Sequence, residues 1–144
     1  MKVATILKQK GQDVFSVKPT DLILTLAHRL RQARIGAMVV LGKDDKLIGI
    51  VSERDIVNGI AEHGADCLKQ TVADLMTRQV VTCTPHDSVT RIAHRMTENR
   101  IRHLPVVDGE NLVGVVSVGD VVKNRLEEMS LEASVLRDLA IAGH

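Results

Sequence analysis

The sequence predicts an α/β fold of the α+β type, in which a β-α-β-β-α unit occurs twice. The chain has 144 residues, which suits one ordinary domain or two very small ones. Residues 14–41 align with residues 80–107 at an offset of 66, and residues 47–57 align with residues 112–122 at an offset of 65. Runs of Val and Ile alternate with segments of helical period in both copies. So many matches with a single gap indicate an internal duplication.

Identical residues recur in register along the two copies. The identical pairs include Pro19/Pro85, Asp21/Asp87, Ala27/Ala93, His28/His94, Arg29/Arg95, Arg34/Arg100, Ile35/Ile101, Gly49/Gly114, Ser52/Ser117 and Asp55/Asp120. We therefore expect both copies to fold in the same way.

Each copy predicts the same elements in the same order. A short strand (Val14–Val17 or Val80–Cys83) precedes a Pro and an Asp, and we expect Asp21 or Asp87 to be the N-cap of the next helix. That helix has apolar residues at a 3.6-residue period. An apolar strand, a tight turn, a second strand and a short helix complete the unit.

The remaining segments predict further helices. Val72–Met76 predicts a short helix before the second copy, and the N-terminal segment matches it at the offset of 66, with Lys10 over Met76 and Gly11 over Thr77. Leu126–Ile141 predicts an amphipathic helix that packs on the body or on a second chain.

The predicted divisions are 1–66, 67–126 and 127–144, for the first unit, the second unit with its linker helix, and the C-terminal helix. A unit of about fifty residues buries little core alone. We therefore expect the two units to pack together about a pseudo-twofold axis.

The composition excludes several classes of function. Trp and Tyr are absent and Phe15 is the only Phe, so base stacking on aromatic rings and aromatic cages for cations are not expected. A net charge of +1 indicates neither a nucleic acid nor an anionic membrane as partner. The chain has no apolar run of membrane-spanning length and no signal-peptide pattern, so we expect a cytoplasmic protein.

Catalytic and metal motifs are missing as well. The sequence contains no GxSxG, Walker A, HExxH or CxxC pattern, so we expect no enzyme. His28 and His94 occupy equivalent helix positions beside the apolar face and are interpreted as boundary residues, so no metal site is expected. Cys67 and Cys83 are interpreted as buried thiols in a reducing compartment, with a disulfide as the alternative.

Two phrases suggest a binding site for an anion and a diol. GIVSERD (Gly49–Asp55) and GVVSVGD (Gly114–Asp120) each lie where a strand enters a helix. The Ser hydroxyl and the free N–H groups of a helix start suit a phosphate, and the Asp three residues later suits vicinal hydroxyls. The alternative is that these Ser and Asp residues only cap their helices.

A basic corner distinguishes the two copies. Arg100, Arg102 and His103 precede an apolar strand, whereas the first copy has Gly36 and Ala37 in place of Arg102 and His103. The basic residues suit phosphate neutralisation, or they form a solvated helix end. We therefore expect the two copies to bind ligands unequally.

The duplicated unit, together with GIVSERDIV, NRIRHLPVVD and GVVSVGDVVK, resembles a pair of CBS domains (the cystathionine-β-synthase motif), also called a Bateman module. The resemblance covers nearly the whole chain. The chain is similar to stand-alone bacterial CBS-pair proteins. It implies adenine nucleotides or adenosyl compounds in clefts between the units, and a flat homodimer of two pairs. It further implies that Asp holds the ribose, that Ser or Thr and basic residues hold phosphate, and that aliphatic side chains hold the base.

Carried onto this sequence, the resemblance implies two clefts. The first is composed of Ile50, Ser52, Arg54, Asp55, Thr77, Val80, Val81, Ile101, Arg102 and His103. The second is composed of Lys10, Gly11, Val14, Phe15, Ile35, Gly36, Ala37, Val115, Ser117, Gly119 and Asp120. The first cleft has more basic residues and is favoured for a phosphate-rich ligand, whereas the second takes a different adenosyl ligand or stays empty.

Two hypotheses about function follow. The leading one is a non-catalytic regulatory module that requires no cofactor, binds AMP, ADP, ATP, NAD or S-adenosylmethionine as a regulatory ligand, and modulates an unidentified protein. The alternative is a structural interaction module with vestigial clefts, whose C-terminal helix recruits a partner. Loss of nucleotide binding on Asp55→Ala, with the fold intact, separates them.

Overall fold

A computed structural model describes residues 1–11 and 13–143 of the chain. The elements in chain order are α1 (Val3–Lys10), β1 (Ser16–Val17), α2 (Ile23–Ala33), β2 (Ala37–Leu41), β3 (Leu47–Ser52), α3 (Glu53–His63), α4 (Val72–Leu75), α5 (Val89–Asn99), β4 (His103–Asp108), β5 (Asn111–Ser117) and α6 (Val118–Ala142). Short 3₁₀ turns lie at Lys43–Asp45 and Gly64–Lys69. This mixture of helices and strands in two repeats confirms the predicted α+β class.

The two copies share backbone details as well as element order. In the first copy β1 pairs in parallel with β2, and β2 pairs antiparallel with β3; in the second, β4 pairs antiparallel with β5. The register of each antiparallel pair shifts at the same point, between Val40 and Leu41 and between Val106 and Val107. The helices α2 and α5 both end on a left-handed Arg, Arg34 and Arg100.

The prediction of a strand over Val80–Cys83 is wrong for every residue except one. Only Cys83 meets β4, through a single parallel bridge to Val106. The preceding carbonyl, that of Thr82, accepts a hydrogen bond of 2.8 Å from the guanidinium of Arg95. In the first copy the strand is also shorter than predicted, since Val14 lies outside β1.

The predicted N-caps were one residue too early. The N-caps of α2 and α5 are Leu22 and Ser88, and the Ser88 hydroxyl accepts a hydrogen bond from the backbone N–H of Arg91. The carboxylate of Asp87 instead accepts from the backbone N–H of Thr84, three residues earlier, and Asp21 does the same for Lys18. The two Asp residues thus stabilise the turn before each helix.

Each hydrophobic core is completed by a short helix from the other side of the duplication. Val3, Ile6 and Leu7 of α1 are buried with residues of the second copy, among them Leu104 and Val116. The second core is composed of Val3, Ile6, Leu7, Cys83, Val89, Ile92, Met96, Leu104, Val106, Val116 and Val121. The first is composed of Val17, Ile23, Leu26, Leu30, Met38, Val40, Val51, Ile56, Cys67, Val72 and Met76, the last two from the α4 segment.

The hydrogen bonds of α1 and α4 correct the alignment of the N-terminal segment. The N–H of Val3 donates to the carbonyl of Asp87 at 2.9 Å, and the N–H of Val72 donates to the carbonyl of Asp21 at 2.8 Å. Val3 therefore corresponds to Val72, an offset of 69 rather than 66. Leu7, and not Lys10, is the counterpart of Met76. The sequence signals for this register are the Val-Ala pair that opens both helices and the apolar pairs Ile6/Leu75 and Leu7/Met76.

The closing helix and the C-terminal helix form one continuous element. α6 runs without a break for 25 residues from Val118 to Ala142, and its residues from Met129 to Gly143 are exposed. Val121 and Asn124 near its start are buried against the body. The helix therefore projects its second half away from the two cores.

Candidate functional site

An open cleft of about 640 Å³ lies between the two units. It is lined by Gly36, Ala37, Ile50, Ser52, Glu53, Arg54, Asp55, Thr77, Gln79, Val81, Arg100, Ile101, Arg102, His103, Ser117, Val118 and Gly119. Its size suits a ligand of nucleotide dimensions. The β3–α3 and β5–α6 junctions both contribute residues to it.

Ser52 and Asp55 are held at the cleft by a reciprocal cap at the start of α3. The Asp55 Oδ2 accepts hydrogen bonds from the N–H of Ser52 at 2.8 Å and from its hydroxyl at 3.1 Å, while the N–H of Asp55 donates to Ser52 Oγ at 3.3 Å. This is the capping-box arrangement. Among the described residues no hydrogen bond engages Asp55 Oδ1, so the carboxylate has capacity for a further donor.

Basic side chains dominate the charge of the cleft wall. Arg54, Arg100 and Arg102 line it, and Glu53 and Asp55 are the acidic residues among the lining. Arg54 lies in the first turn of α3, and Arg102 precedes β4. Guanidinium groups bind phosphate oxygens through paired hydrogen bonds. The wall is therefore suited to an anionic ligand.

His103 contributes a neutral imidazole rather than another cation. Burial lowers its pKa from 6.5, the positive charges of Arg102 and Lys10 lower it further, and Asp120 and Glu53 oppose them. The ring packs against Gly36. A neutral imidazole can donate a hydrogen bond through one ring nitrogen and accept one through the other.

Aliphatic side chains and backbone groups complete the cleft. Ile50, Val81 and Ile101 line it, and each is half-buried. Ile50 and Thr77 form an isolated bridge, with N···O distances of 3.0 and 2.8 Å. This bridge holds the linker after α4 against the end of β3, and so positions one wall.

The second Ser-Asp motif has the same cap but a different neighbour. Asp120 Oδ2 accepts from the N–H of Ser117 at 2.9 Å, and the N–H of Asp120 donates to Ser117 Oγ at 3.2 Å. The Nζ of Lys10 also lies 2.7 Å from Asp120 Oδ2 and donates to the carbonyl of Val115 at 2.9 Å. Burial acts to raise the pKa of Asp120, but the hydrogen bonds from Lys10 and Ser117 keep it below its ordinary value.

The structure brings residues from both predicted clefts to one cavity. From the first set, Ile50, Ser52, Arg54, Asp55, Thr77, Val81, Ile101, Arg102 and His103 line it, and Val80 does not. From the second set, Gly36, Ala37, Ser117 and Gly119 line the same cavity. Lys10, Val115 and Asp120 are joined to one another outside this lining.

The other residues of the second set lie apart from the cavity lining. Gly11 ends α1, Val14 is half-buried before β1, and Phe15 is exposed. Ile35 packs against the core of the first unit. Lys10 and Gly11 had been included through the alignment that the structure corrects.

Sequence reasoning missed four lining residues: Glu53, Gln79, Arg100 and Val118. Arg100 was visible in the basic corner but not assigned to the site. Its left-handed backbone at the end of α5 turns the chain towards the cleft. Glu53 and Val118 follow directly on the two Ser residues, and their N–H groups donate to the carbonyls of Gly36 and Arg102.

The family model of the CBS domain matches the chain twice, over residues 7–62 and 72–127. The chain belongs to the CBS-domain family. Neither of the two matches is to a catalytic domain. The resemblance inferred from the repeat and its motifs is thereby confirmed.

Several relatives have the same organisation. The chain is 33% identical over 134 residues to the CBS domain-containing protein CBSX3, mitochondrial, of Arabidopsis thaliana, with 88% of this chain and 65% of that protein covered. It spans just under two thirds of that relative's length. It is 32% identical to the CBS domain-containing protein YhcV of Bacillus subtilis, with 81% and 82% covered.

Solved structures support the fold and name a class of ligand. The CBS-domain containing protein ATU1752 from Agrobacterium tumefaciens has a TM-score of 0.84 and 40% identity, over 86% of this chain and 92% of that one. The CBS domain pair of protein MJ0100, solved in complex with 5-methylthioadenosine and S-adenosyl-L-methionine, has a TM-score of 0.79 and 25% identity, over 89% and 98%. CBS pairs thus include one that binds adenosyl ligands.

The described helices and the described His, Cys, Asp and Glu side chains bear on membranes and metals. Among the described residues no helix combines the length and apolar character needed to cross a membrane. Within the same residues no group of three or more His, Cys, Asp or Glu side chains could hold a metal ion.

Proposed function

We propose that this CBS pair is a non-catalytic sensor that binds one adenine nucleotide or adenosyl compound in the cleft between its units. The observation that carries the proposal is the position of Asp55. Its carboxylate lies at the start of α3, with Oδ1 not engaged by the described residues, in a cleft that also contains Arg54, Arg100 and Arg102. A diol acceptor beside several guanidinium groups suits a ribose that carries phosphate.

The rest of the cleft supports a purine as the third part of the ligand. Ile50, Val81 and Ile101 provide an aliphatic surface in a cleft that is lined by no Phe, Tyr or Trp. A planar base lies well between branched side chains, and backbone groups near the Ile50–Thr77 bridge supply hydrogen bonds to its edge. Adenine bound in this way needs no stacking partner.

The basic wall favours phosphate-bearing ligands among the candidates. AMP, ADP, ATP and NAD carry phosphate groups that Arg54 and Arg102 would neutralise, whereas S-adenosylmethionine carries a sulfonium cation instead. We therefore expect the nucleotides to bind more tightly than S-adenosylmethionine, and the bound state to change how the protein engages a regulated partner.

Calorimetric titration with AMP, ATP and S-adenosylmethionine tests the proposal. Asp55→Asn is expected to lower nucleotide affinity about tenfold or more, because the variant loses the charge that assists hydrogen bonds from the ribose. Asp120→Asn is the matched control, since it occupies the same cap in the other copy and is expected to leave the affinity unchanged. An absence of binding by the unaltered protein would refute the sensor.

Absorbance offers an independent test. With no Trp or Tyr, the polypeptide is nearly transparent at 280 nm. A desalted sample that had been mixed with ATP should show a band near 260 nm, and the Asp55→Asn sample should show less.

We also propose that two copies associate through α6. Val122, Leu126, Met129, Ala133, Leu136 and Ala140 are spaced alternately by four and three residues, and the larger of these side chains are exposed. A repeat of 3.5 residues is the pattern of a coiled-coil seam. Val121 and Asn124, which face the body, lie off this seam.

Charge placement favours a second, parallel copy of α6 as the occupant of the seam. In this register Glu132 takes a g position and Arg137 the following e position, which meet across a parallel pair of identical helices. An antiparallel pair would instead bring Lys123 of one copy close to Arg137 of the other. These two side chains carry charges of the same sign and would repel each other.

Oligomeric state tests the proposed dimer. Leu136→Asp is expected to convert the dimer to a monomer in light scattering, whereas Leu131→Asp, which is equally exposed but off the seam, should remain dimeric. Arg137→Glu should weaken the dimer and Glu132→Arg combined with it should restore it. A monomeric unaltered protein, or equal effects of the two Leu variants, would contradict the assignment.

A further inference from the structure

Lys10 places a cation on the carboxylate of the second Ser-Asp motif and on the carbonyl of Val115 beside it. Its Nζ donates to Asp120 Oδ2 at 2.7 Å and to the carbonyl of Val115 at 2.9 Å. The first motif has no such cation among the described residues. There the carbonyl of Ile50 accepts from the backbone N–H of Thr77, and Asp55 is bonded only to Ser52. The two motifs are alike in sequence but differ in what covers them.

The difference arises from the length of the helix that leads into each unit. α4 ends at Leu75, and two residues later Thr77 joins the end of β3. α1 begins at the equivalent position but continues to Lys10, about one turn further. No backbone bridge between this segment and Val115 occurs in the described residues, and the Lys10 side chain reaches the Val115 carbonyl instead.

Packing at the strand glycines fixes α1 in this position. The Leu7 side chain lies so close to Gly114 that an added Cβ would be 2.6 Å from Leu7 Cδ2, just as Met76 Sδ would lie 2.7 Å from a Cβ at Gly49. Leu7 is buried and Lys10 is one turn beyond it on the same helix. The buried residue therefore anchors the helix turn that carries Lys10 to Asp120.

We propose that Lys10 is a specificity-determining residue that restricts adenosyl binding to the Asp55 cleft by occupying the ribose position at Asp120. This inference rests on the proposed function of the Asp55 cleft. Both a ribose hydroxyl and the ammonium group form charge-assisted hydrogen bonds to a carboxylate, but only the ammonium group also forms an ion pair with it, which neutral hydroxyl groups would have to displace. The affinity at Asp120 is thereby lowered roughly tenfold to a hundredfold.

If Lys10 bound the ligand instead of closing the second site, its removal would have the opposite effect on nucleotide binding. If Lys10 were a phosphate ligand of a second site, its removal would weaken binding there. If it closes that site, its removal creates binding. Lys10→Met keeps the length of the aliphatic side chain and removes the charge, so it separates the two roles.

Calorimetry with ATP and with AMP, supported by equilibrium dialysis, measures the number of sites. The unaltered protein is expected to bind one nucleotide tightly and Lys10→Met two, and in Lys10→Met combined with Asp55→Asn one of these two sites is expected to be weakened as Asp55→Asn weakens it alone. Lys8→Met is the matched control, because Lys8 is exposed on the same helix, and it should bind one. Two sites in the unaltered protein, or one site in Lys10→Met, would overturn the inference and leave the proposed function standing.

A measurement without ligand tests the contact itself. Carbon-13 NMR titration of the Asp120 carboxyl should show a higher pKa in Lys10→Met than in the unaltered protein or in Lys8→Met, because the hydrogen bond and the charge of Lys10 are gone. An unchanged pKa would mean that Lys10 does not engage Asp120 and would overturn the inference. Absence of any nucleotide binding, with the pKa shift present, would instead refute the proposed function.

Discussion

The imidazole of His103 lies against Gly36, so that a Cβ added to Gly36 would be 3.3 Å from His103 Cε1. The contact joins the two units beside the cleft, at positions where the duplicated copies differ most in chemistry. A side chain at this position would require the ring to shift by a few tenths of an ångström, and Glu53 Oε2 lies near the same point.

The buried position of His103 predicts that the protein is less stable in mild acid. Burial, Arg102 and Lys10 lower the folded-state pKa of His103 below 6.5, against the opposing charges of Asp120 and Glu53. Below about pH 6.5 the unfolded chain therefore binds more protons than the folded one at this site, and the free energy of unfolding falls. Urea unfolding at pH 8, 7, 6 and 5.5 measures this slope. His103→Gln should reduce it and His94→Gln, on an exposed site, should not; equal slopes would contradict the assignment.

The two strand glycines predict unequal costs for the same substitution. A Cβ at Gly49 would lie 2.7 Å from Met76 Sδ and 3.0 Å from the backbone oxygen of Thr77. A Cβ at Gly114 would meet only the side chain of Leu7. Because backbone yields less than a flexible side chain, Gly49→Ala should lower the free energy of unfolding by about 1–3 kcal/mol, and Gly114→Ala by less. Chemical denaturation compares them, and a larger loss for Gly114→Ala would be inconsistent with this packing.

The N-caps of the two equivalent helices predict a stabilising change. Ser88 caps α5 through its hydroxyl, whereas Leu22 at the same position of α2 provides no cap and is about half exposed. Ser88→Ala should therefore cost about 1 kcal/mol of unfolding free energy, and Leu22→Ser should add roughly 0.5 kcal/mol. Thermal and urea unfolding of both variants checks the signs. A destabilised Leu22→Ser protein would show that the Leu22 side chain contributes more by packing than a cap supplies.

The two thiols are predicted to be unreactive in the folded protein. Cys67 and Cys83 are both buried and free. The pKa of Cys83 is raised to about 11, mainly by burial and also by the carboxylate of Asp87, with Arg95 opposing them. Because the thiolate is the nucleophile, Ellman's reagent at pH 8 should label Cys83 in a Cys67→Ser background only after unfolding in urea. Rapid labelling without urea would show that the second core opens readily.

The repeat allowed most of the fold to be predicted, and local competition explains the errors. Val and Ile runs identify β2–β5 because a buried sheet needs them, whatever the ligand. At the starts of α2 and α5 an Asp stands next to the true N-cap, and composition does not show which residue has the extended backbone of a cap. The register of α1 depended on a five-residue match, residues 3–7 with residues 72–76, of which only the Val-Ala pair is identical, and this is too short to outweigh the offset of the rest of the repeat.

The site could be predicted only in part for a similar reason. Ser52 and Asp55 stand out because their spacing recurs. Arg100 reaches the cleft through the backbone angle at the end of a helix, which its residue type does not reveal. The pairing of Lys10 with Asp120 joins residues 110 positions apart and follows from the length of α1, so no local pattern indicates it.

The exchange of leading helices between the two cores has a consequence for folding during synthesis. The core that contains Val17 and Met76 is complete once the first half of the chain has emerged, because α4 follows directly on the strands that it covers. The other core needs Val3 and Leu7, which precede the first copy, and Val116 from the last strand of the second copy. α1, which is synthesised before both copies, therefore has no docking surface until β5 exists. Contacts at such sequence separation form slowly, so we expect the docking of α1 to limit the folding rate of the newly made chain.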